Sequence, residues 1–188
     1  VLKDTAVTEV IVVDGGSSDG TDHLAENTEA QVIHYEANRE TGVGRGGQIL
    51  AGIKASTKDV VALVHADTRV TYPIFENILN VLRKQPLIVG GAVGSLFNSN
   101  GWRFRVLEFA NDLRMACMGI SFGDQVQFFR RKPVVDNDLF PNIPLMEDVE
   151  FSIRLHRMGR QTYLFGNAMV STRKWKAKGF GHASTVIR

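Results

Sequence analysis

Cysteine is almost absent: Cys117 is the one thiol in 188 residues. An internal disulfide and a cysteine-built zinc site are therefore excluded, and the usage fits a reducing cytoplasm in which the thiol is buried and inert. Long apolar runs are missing too, none reaching the roughly 18 to 20 residues of a membrane-spanning helix. The opening VLKDTAVTEV does not read as a secretory signal. A soluble cytoplasmic chain is expected, with peripheral contact at the inner face of the membrane left open. Charge of one sign is also scarce. A net +2 is too mild for a nucleic-acid partner, whose binding faces are densely basic, and the only basic cluster is residues 173–178. Repeats, low-complexity tracts and linkers are lacking. With 44% apolar and 22% charged residues, disordered and fibrous classes are excluded, and the length suits one domain over residues 1–188.

What is present is alternation. VTEVIVV (7–13), AQVIHY (30–35) and DVVALVH (59–65) read as strands. Between and after them come GTDHLAENT (20–28), a helix over 46–56 with Ile49, Leu50 and Ile53 on one face, and a helix over 73–84. The last opens on proline and turns Ile74, Ile78, Leu79 and Leu82 to a core. Apolar strands alternating with helices predict an α/β fold: a mostly parallel sheet with helices on both faces and ligands beyond the C-terminal strand ends. Further on, IVGGAVGSL and DQVQFFRR read as strands, and VEFSIRLHRMGR as a helix that Gly159 would cap. The segment 102–118 has helical spacing, with Val106, Phe109, Leu113 and Cys117 along one stripe. Core packing is the simpler reading of that stripe; a face turned to an acceptor or a membrane is the alternative.

Three strand ends carry chemistry. In VVDGGSSDGT, Asp14 arrives at the edge of a strand just before a tight polar turn; it either stabilises that turn or bonds a ligand, while Ser17, Ser18 and Thr21 compete as helix caps. In VALVHADTR (61–69), Asp67 sits where a phosphate-bearing ligand would bind, and a carboxylate there needs a divalent cation between them; magnesium and manganese suit such oxygens. In PLMEDVEFSIRLHR, Glu147 and Asp148 open a helix, where they either complement its dipole or accept a proton from a hydroxyl nucleophile. Gly42, Gly44 and Gly47 match G-x-G-x-x-G, the mark of an NAD-dependent oxidoreductase. That motif follows its strand at once, however, whereas EANRET intervenes here and Arg45 sits inside the turn. A basic clamp in which Arg39 and Arg45 approach phosphate is the better reading.

VIVVDGGSSDGT, RETGVGRGGQILAGIKAS, VALVHADTR, GDQVQFFRR, MEDVEFSIRLHRMGR and STRKWKAKGF, in that order, resemble the family 2 glycosyltransferases of GT-A, Rossmann-like fold. The likeness is strongest to a bacterial subgroup with His-Ala-Asp-Thr in place of Asp-x-Asp. It implies an inverting, metal-assisted transfer of a sugar from a nucleotide-diphosphate donor to the hydroxyl of a saccharide, lipid or small-molecule acceptor. By the same resemblance Asp14, Arg45, Arg173 and Trp175 face the donor, and Asp67, with His65 beside it, holds a magnesium or manganese ion. Asp148 is the general base, Glu147 beside it either contacts the acceptor or orients the loop, and Gly123, Asp124 and Gln125 line the acceptor. Two departures stand out. The usual first strand, followed by an Asn-Glu turn, has no counterpart, so an N-terminally incomplete domain is expected. His65 replaces the first acid, and serves either as a ligand, as a ribose contact or as a structural group. A catalytically inactive carbohydrate-binding module of the same fold is the third reading.

Overall fold

The computed structural model describes residues 6–38, 44–70, 73–99 and 101–172. In chain order the elements are β1 (Ile11–Asp14), α1 (Thr21–Glu26), β2 (Gln31–His34), α2 (Gly44–Ala55), β3 (Val60–Leu63), β4 (Thr68–Val70) and α3 (Ile74–Lys84). They continue with β5 (Ile88–Phe97), α4 (Trp102–Met118), β6 (Val126–Arg130), α5 (Arg131–Asp136), α6 (Glu147–Met158) and β7 (Arg160–Val170). The expected α/β class is met. β1 and β2 pair in parallel as a two-stranded sheet, and five strands form a second sheet in the order β3-β6-β5-β7-β4.

Strand direction departs from the expected mostly parallel pattern. In the larger sheet only β5 and β7 run parallel; β3–β6, β5–β6 and β4–β7 are antiparallel. Apolar periodicity fixes which face a strand buries but carries no direction. Direction is set by the connection, and here α4 packs beside the end of β5 through Phe97 and Phe104. The chain then enters β6 opposite Val93 and runs back along β5.

Two layers of core clamp this sheet. On one face α3 delivers Ile74, Ile78 and Leu82, as its sequence spacing predicts, against Ile88, Val93, Val126 and Phe128. On the other, Ile53 of α2, Val134 of α5, and Phe151 and Leu155 of α6 pack on Phe129. The consecutive residues Phe128 and Phe129 thus serve opposite faces of β6, the period-two alternation of a strand. Gly91 allows the central strands to meet: a Cβ there would lie 1.9 Å from the carbonyl oxygen of Thr162 on β7. By contrast β1 and β3 are half-buried, and among the described residues each pairs along one edge only.

Three other expectations are corrected. The stripe Val106, Phe109, Leu113 and Cys117 does not enter the core; all four are exposed, and α4 turns Phe104, Glu108, Asn111 and Met115 inward instead. The polar members of that inner face are satisfied there: Glu108 accepts the Phe97 N–H at 2.6 Å and pairs with Arg105. Cys117, being on the stripe, is exposed rather than buried. Gly159 follows α6 in extended backbone rather than as a left-handed cap, and a Cβ there would reach within 2.6 Å of Val89.

Phe151 is fully buried and meets the rings of Phe129 and Phe140 at 5.0 and 4.9 Å. Its truncation in Phe151→Ala costs about 3 to 5 kcal/mol of unfolding free energy. Denaturant unfolding checks this; Leu87→Ala, at an exposed position, stays within about 0.5 kcal/mol of the parent.

Candidate active site

Four segments distant in sequence meet at one end of the larger sheet. β3 ends at Leu63, and the chain turns through His65, Ala66 and Asp67 into β4, closed by a 2.9 Å hydrogen bond from the Thr68 N–H to the His65 carbonyl. The turn before β6 brings Gly123, Asp124 and Gln125, and α6 opens on Glu147 and Asp148. Met146, in the left-handed region at φ 61°, swings the backbone so that both acids fall in the first helical turn. There they complement the positive end of the helix.

Asp148 is the hub. Its Oδ2 accepts the Gly123 N–H at 2.5 Å and lies 3.5 Å from a guanidinium nitrogen of Arg45, while Oδ1 accepts the Val149 N–H at 2.8 Å. Gln127 fastens the backbone below, donating to the Asp148 carbonyl at 2.9 Å and to Ser121 Oγ at 2.7 Å. Arg45 also pairs with Glu147, which is wholly buried. Glycine at 123 is a geometric necessity: a Cβ there would stand 2.9 Å from both Asp148 Oδ2 and His65 Nε2. The imidazole and the carboxylate therefore converge on one backbone position. Burial holds the His65 pKa below its ordinary value, reinforced by the Arg45 charge and opposed by Asp67, Asp148 and Glu147. A neutral ring results near pH 7.

Behind this cluster lies a polar layer that the sequence motifs did not reveal. Asp124 is half-buried, and its buried Oδ1 has no hydrogen-bond donor among the described residues; desolvation raises its pKa, with Arg114 opposing. Arg114 lies over the Phe122 ring, 3.6 Å from its centroid, and donates to Asn111 at 3.0 Å and to Gln125 at 3.2 Å. Tyr163 donates to Asp112. The available signal was the polar series Glu108, Asn111 and Arg114, three residues apart along α4.

Asp14 stands in the smaller sheet, at the end of β1. Its carboxylate gathers its own turn, accepting the N–H groups of Gly16 and Ser17 at 2.9 and 3.1 Å and the Ser17 hydroxyl at 2.5 Å. Ser17 is thus spent on Asp14, and Thr21 bonds Asp19 at 2.6 Å rather than capping α1. The glycine-rich loop packs on its own chain: Gly44 opens α2 against Pro144, and a Cβ on Gly46 would lie 2.2 Å from the Ile143 carbonyl oxygen. Those glycines admit a neighbouring loop, not a dinucleotide. Arg173, Trp175, Arg39 and Gly42 lie outside the described residues.

The family model described as glycosyl transferase family 2 matches residues 2–145. This chain belongs to glycosyltransferase family 2. The match stops just short of Glu147 and Asp148, so those two acids rest on the geometry above. Solved structures share the GT-A fold. Glucosyl-3-phosphoglycerate synthase from Mycobacterium tuberculosis, solved with Mn2+, UDP-glucose and phosphoglyceric acid, aligns at 21% identity and a TM-score of 0.58, over 96% of this chain and 66% of that one. TarS 1-349 from S. aureus with UDP-GlcNAc aligns at 17% identity and a TM-score of 0.64, over 88% of this chain and 50% of that one. The chain therefore spans half to two thirds of the length of these structures. No curated protein matches significantly.

The Ser17 hydroxyl, foremost among the groups bonded to Asp14, draws that carboxyl below its ordinary pKa. A depressed carboxylate contributes stability above its unfolded pKa and loses it as pH falls through the folded value. Asp14→Asn, a mimic of the protonated form, therefore melts below the parent at pH 7, and the gap closes below the usual carboxylate range. Melting curves from pH 7 down to about pH 2.5 check this.

Proposed function

We propose that the chain is the catalytic part of an inverting glycosyltransferase that takes a sugar from a nucleotide-diphosphate donor. The supporting observation is the convergence of Asp148, the Gly123 N–H, His65 and Arg45 at one sheet end, in a chain of this family. Asp148 takes the proton of the acceptor hydroxyl as that oxygen attacks the anomeric carbon from the face opposite the diphosphate. The diphosphate departs with the bonding electrons, and the configuration inverts. One base suffices and no protein acid is needed, in contrast to the paired carboxylates of a glycosidase. Gly123 fixes the direction of the carboxylate, and Gln127 fixes the backbone that carries it. The paired Arg45 supplies positive charge toward the diphosphate. Gly123, Asp124 and Gln125 face the acceptor. Asp14 serves the nucleoside end through the turn it organises.

The residues present fit a magnesium or manganese ion shared with a diphosphate. Among the described residues no group of three or more His, Cys, Asp or Glu side chains forms a cage, and such ions are commonly held by one or two carboxylates with phosphate oxygens completing the shell. Asp67 would hold it, with the neutral His65 beside it as the second donor. When bound, the ion offsets the charge that develops on the leaving diphosphate. The solved relative with Mn2+ and UDP-glucose makes uridine diphosphate the first nucleotide to try.

Uridine diphosphate with Mn2+, each at about 100 times its dissociation constant, should raise the melting temperature by about 5 °C or more. Asp67→Ala should melt like the parent without ligand and lose the shift. Absence of a shift with uridine, guanosine and thymidine diphosphates alike would overturn the reading.

A further inference from the structure

The segment that joins α4 to β6, GISFGDQ (119–125), presents one N–H group, that of Gly123, to Asp148. Its composition works against that aim. Glycines at 119 and 123 leave the backbone free to turn, and fixing a glycine costs more conformational entropy than fixing any other residue. Gly119 is spent on the left-handed end of α4, at φ 66°, which does not set the direction of the chain beyond it. A hydrogen bond from Gly123 tolerates little misalignment, so restraints are needed on both sides of that residue.

Arg114, one turn before the end of α4, supplies them. Its Nε donates to the Ile120 carbonyl at 3.2 Å and its Nη2 to Gln125 Oε1 at 3.2 Å, while the guanidinium lies 3.6 Å from the centroid of the Phe122 ring. The side chain therefore grips the segment at 120, 122 and 125, before and after Gly123. Gln125 closes the turn between these points. Its Oε1 also accepts the Phe122 N–H at 3.1 Å, and its own N–H bonds the Phe122 carbonyl at 2.9 Å. Nη1 donates to Asn111 Oδ1 at 3.0 Å, so the preceding turn of α4 holds the guanidinium in place. From the α6 side the Ser121 N–H bonds Ser152 Oγ at 3.3 Å.

The type of side chain is informative. Among the described residues every hydrogen-bond acceptor of Arg114 is neutral, so an ion pair does not account for a half-buried cation there. Burial lowers its pKa, and the charges of Asp124 and Asp148 oppose that from a distance. What a guanidinium alone offers is a rigid plane whose donors diverge at fixed angles and which also stacks on a ring. An ammonium on a flexible stem makes one such contact at a time.

We propose that Arg114 is a positioning residue: by clamping residues 120–125 it aims the Gly123 N–H at Asp148 and so sets the direction of the base. It acts through the segment, and the proposal rests on Asp148 being the base of the transfer.

Two measurements on the parent, Arg114→Met and Arg114→Lys test it. The first, amide hydrogen exchange followed by NMR, needs no substrate. The Gly123 amide should exchange about tenfold faster or more in both variants, while the amides of Phe128 and Phe129 keep nearly the parent rates. The second is uridine diphosphate release from a uridine-diphosphate sugar. Both variants should turn over about 10 to 100 times more slowly with the donor KM unchanged, since a misplaced base slows the reaction without weakening donor binding. Gly123 exchange that stays at the parent rate, or rises only in step with Phe128 and Phe129, would overturn the proposal by showing a merely structural role. So would parent-like turnover in Arg114→Met, or full rescue by Arg114→Lys. A parent that releases nothing would overturn Asp148 as the base and this proposal together, whereas an active parent with an equally active Arg114→Met overturns this proposal alone.

Discussion

The hydrogen bond from the Gly123 N–H to Asp148 Oδ2 is the constraint on which the rest of the site depends. It ties the first turn of α6 to the entry of β6, two segments that touch nowhere near each other in sequence. Because residue 123 has no side chain, the imidazole of His65 can close on the same point from β3. Any side chain there would separate the base from the strand end that carries Asp67. The core explains why the constraint holds: β6 is pinned from both faces through Phe128 and Phe129, and Phe151 locks α6 to that same strand. The packing that stabilises the domain therefore also positions the carboxylate.

Charge balance follows from this arrangement. Three acids, Asp67, Glu147 and Asp148, surround a neutral imidazole, and Arg45 answers two of them. Glu147 is fully buried, and its Oε2 has no donor among the described residues, an arrangement that costs free energy unless the guanidinium stays in place. Arg45 is thereby held beside the site rather than free to wander. A site with this excess of negative charge receives a diphosphate readily only when a cation accompanies it, which accounts physically for a metal in the proposed reaction.

Much of this arrangement was legible in the sequence where one feature forced one outcome. An apolar strand ending in His-Ala-Asp had to deliver those residues to a sheet end, and two acids opening an amphipathic helix had to sit in its first turn. Ile74, Ile78 and Leu82 had to face a core. Legibility failed where two outcomes fitted the same pattern. The α4 segment has apolar residues on both faces, so periodicity could not choose between them. The choice was made by Glu108 and Asn111, whose hydrogen bonds are long-range and invisible in a single chain. The antiparallel course of β6 was hidden for a like reason, since strand spacing carries no direction. At Asp14 the pattern fits both a turn stabiliser and a ligand contact, and the carboxylate does hold the two residues that follow Gly15.

The account stands on Asp148 acting as the base rather than merely closing a helix end. The direct test is the rate of uridine diphosphate release from a uridine-diphosphate sugar by the parent and by Asp148→Asn, alongside equilibrium binding of uridine diphosphate to each. The account predicts unchanged binding and a rate lower by about 10² to 10⁴ in the variant. Equal rates in the two proteins, or no release by either with binding retained, would contradict it.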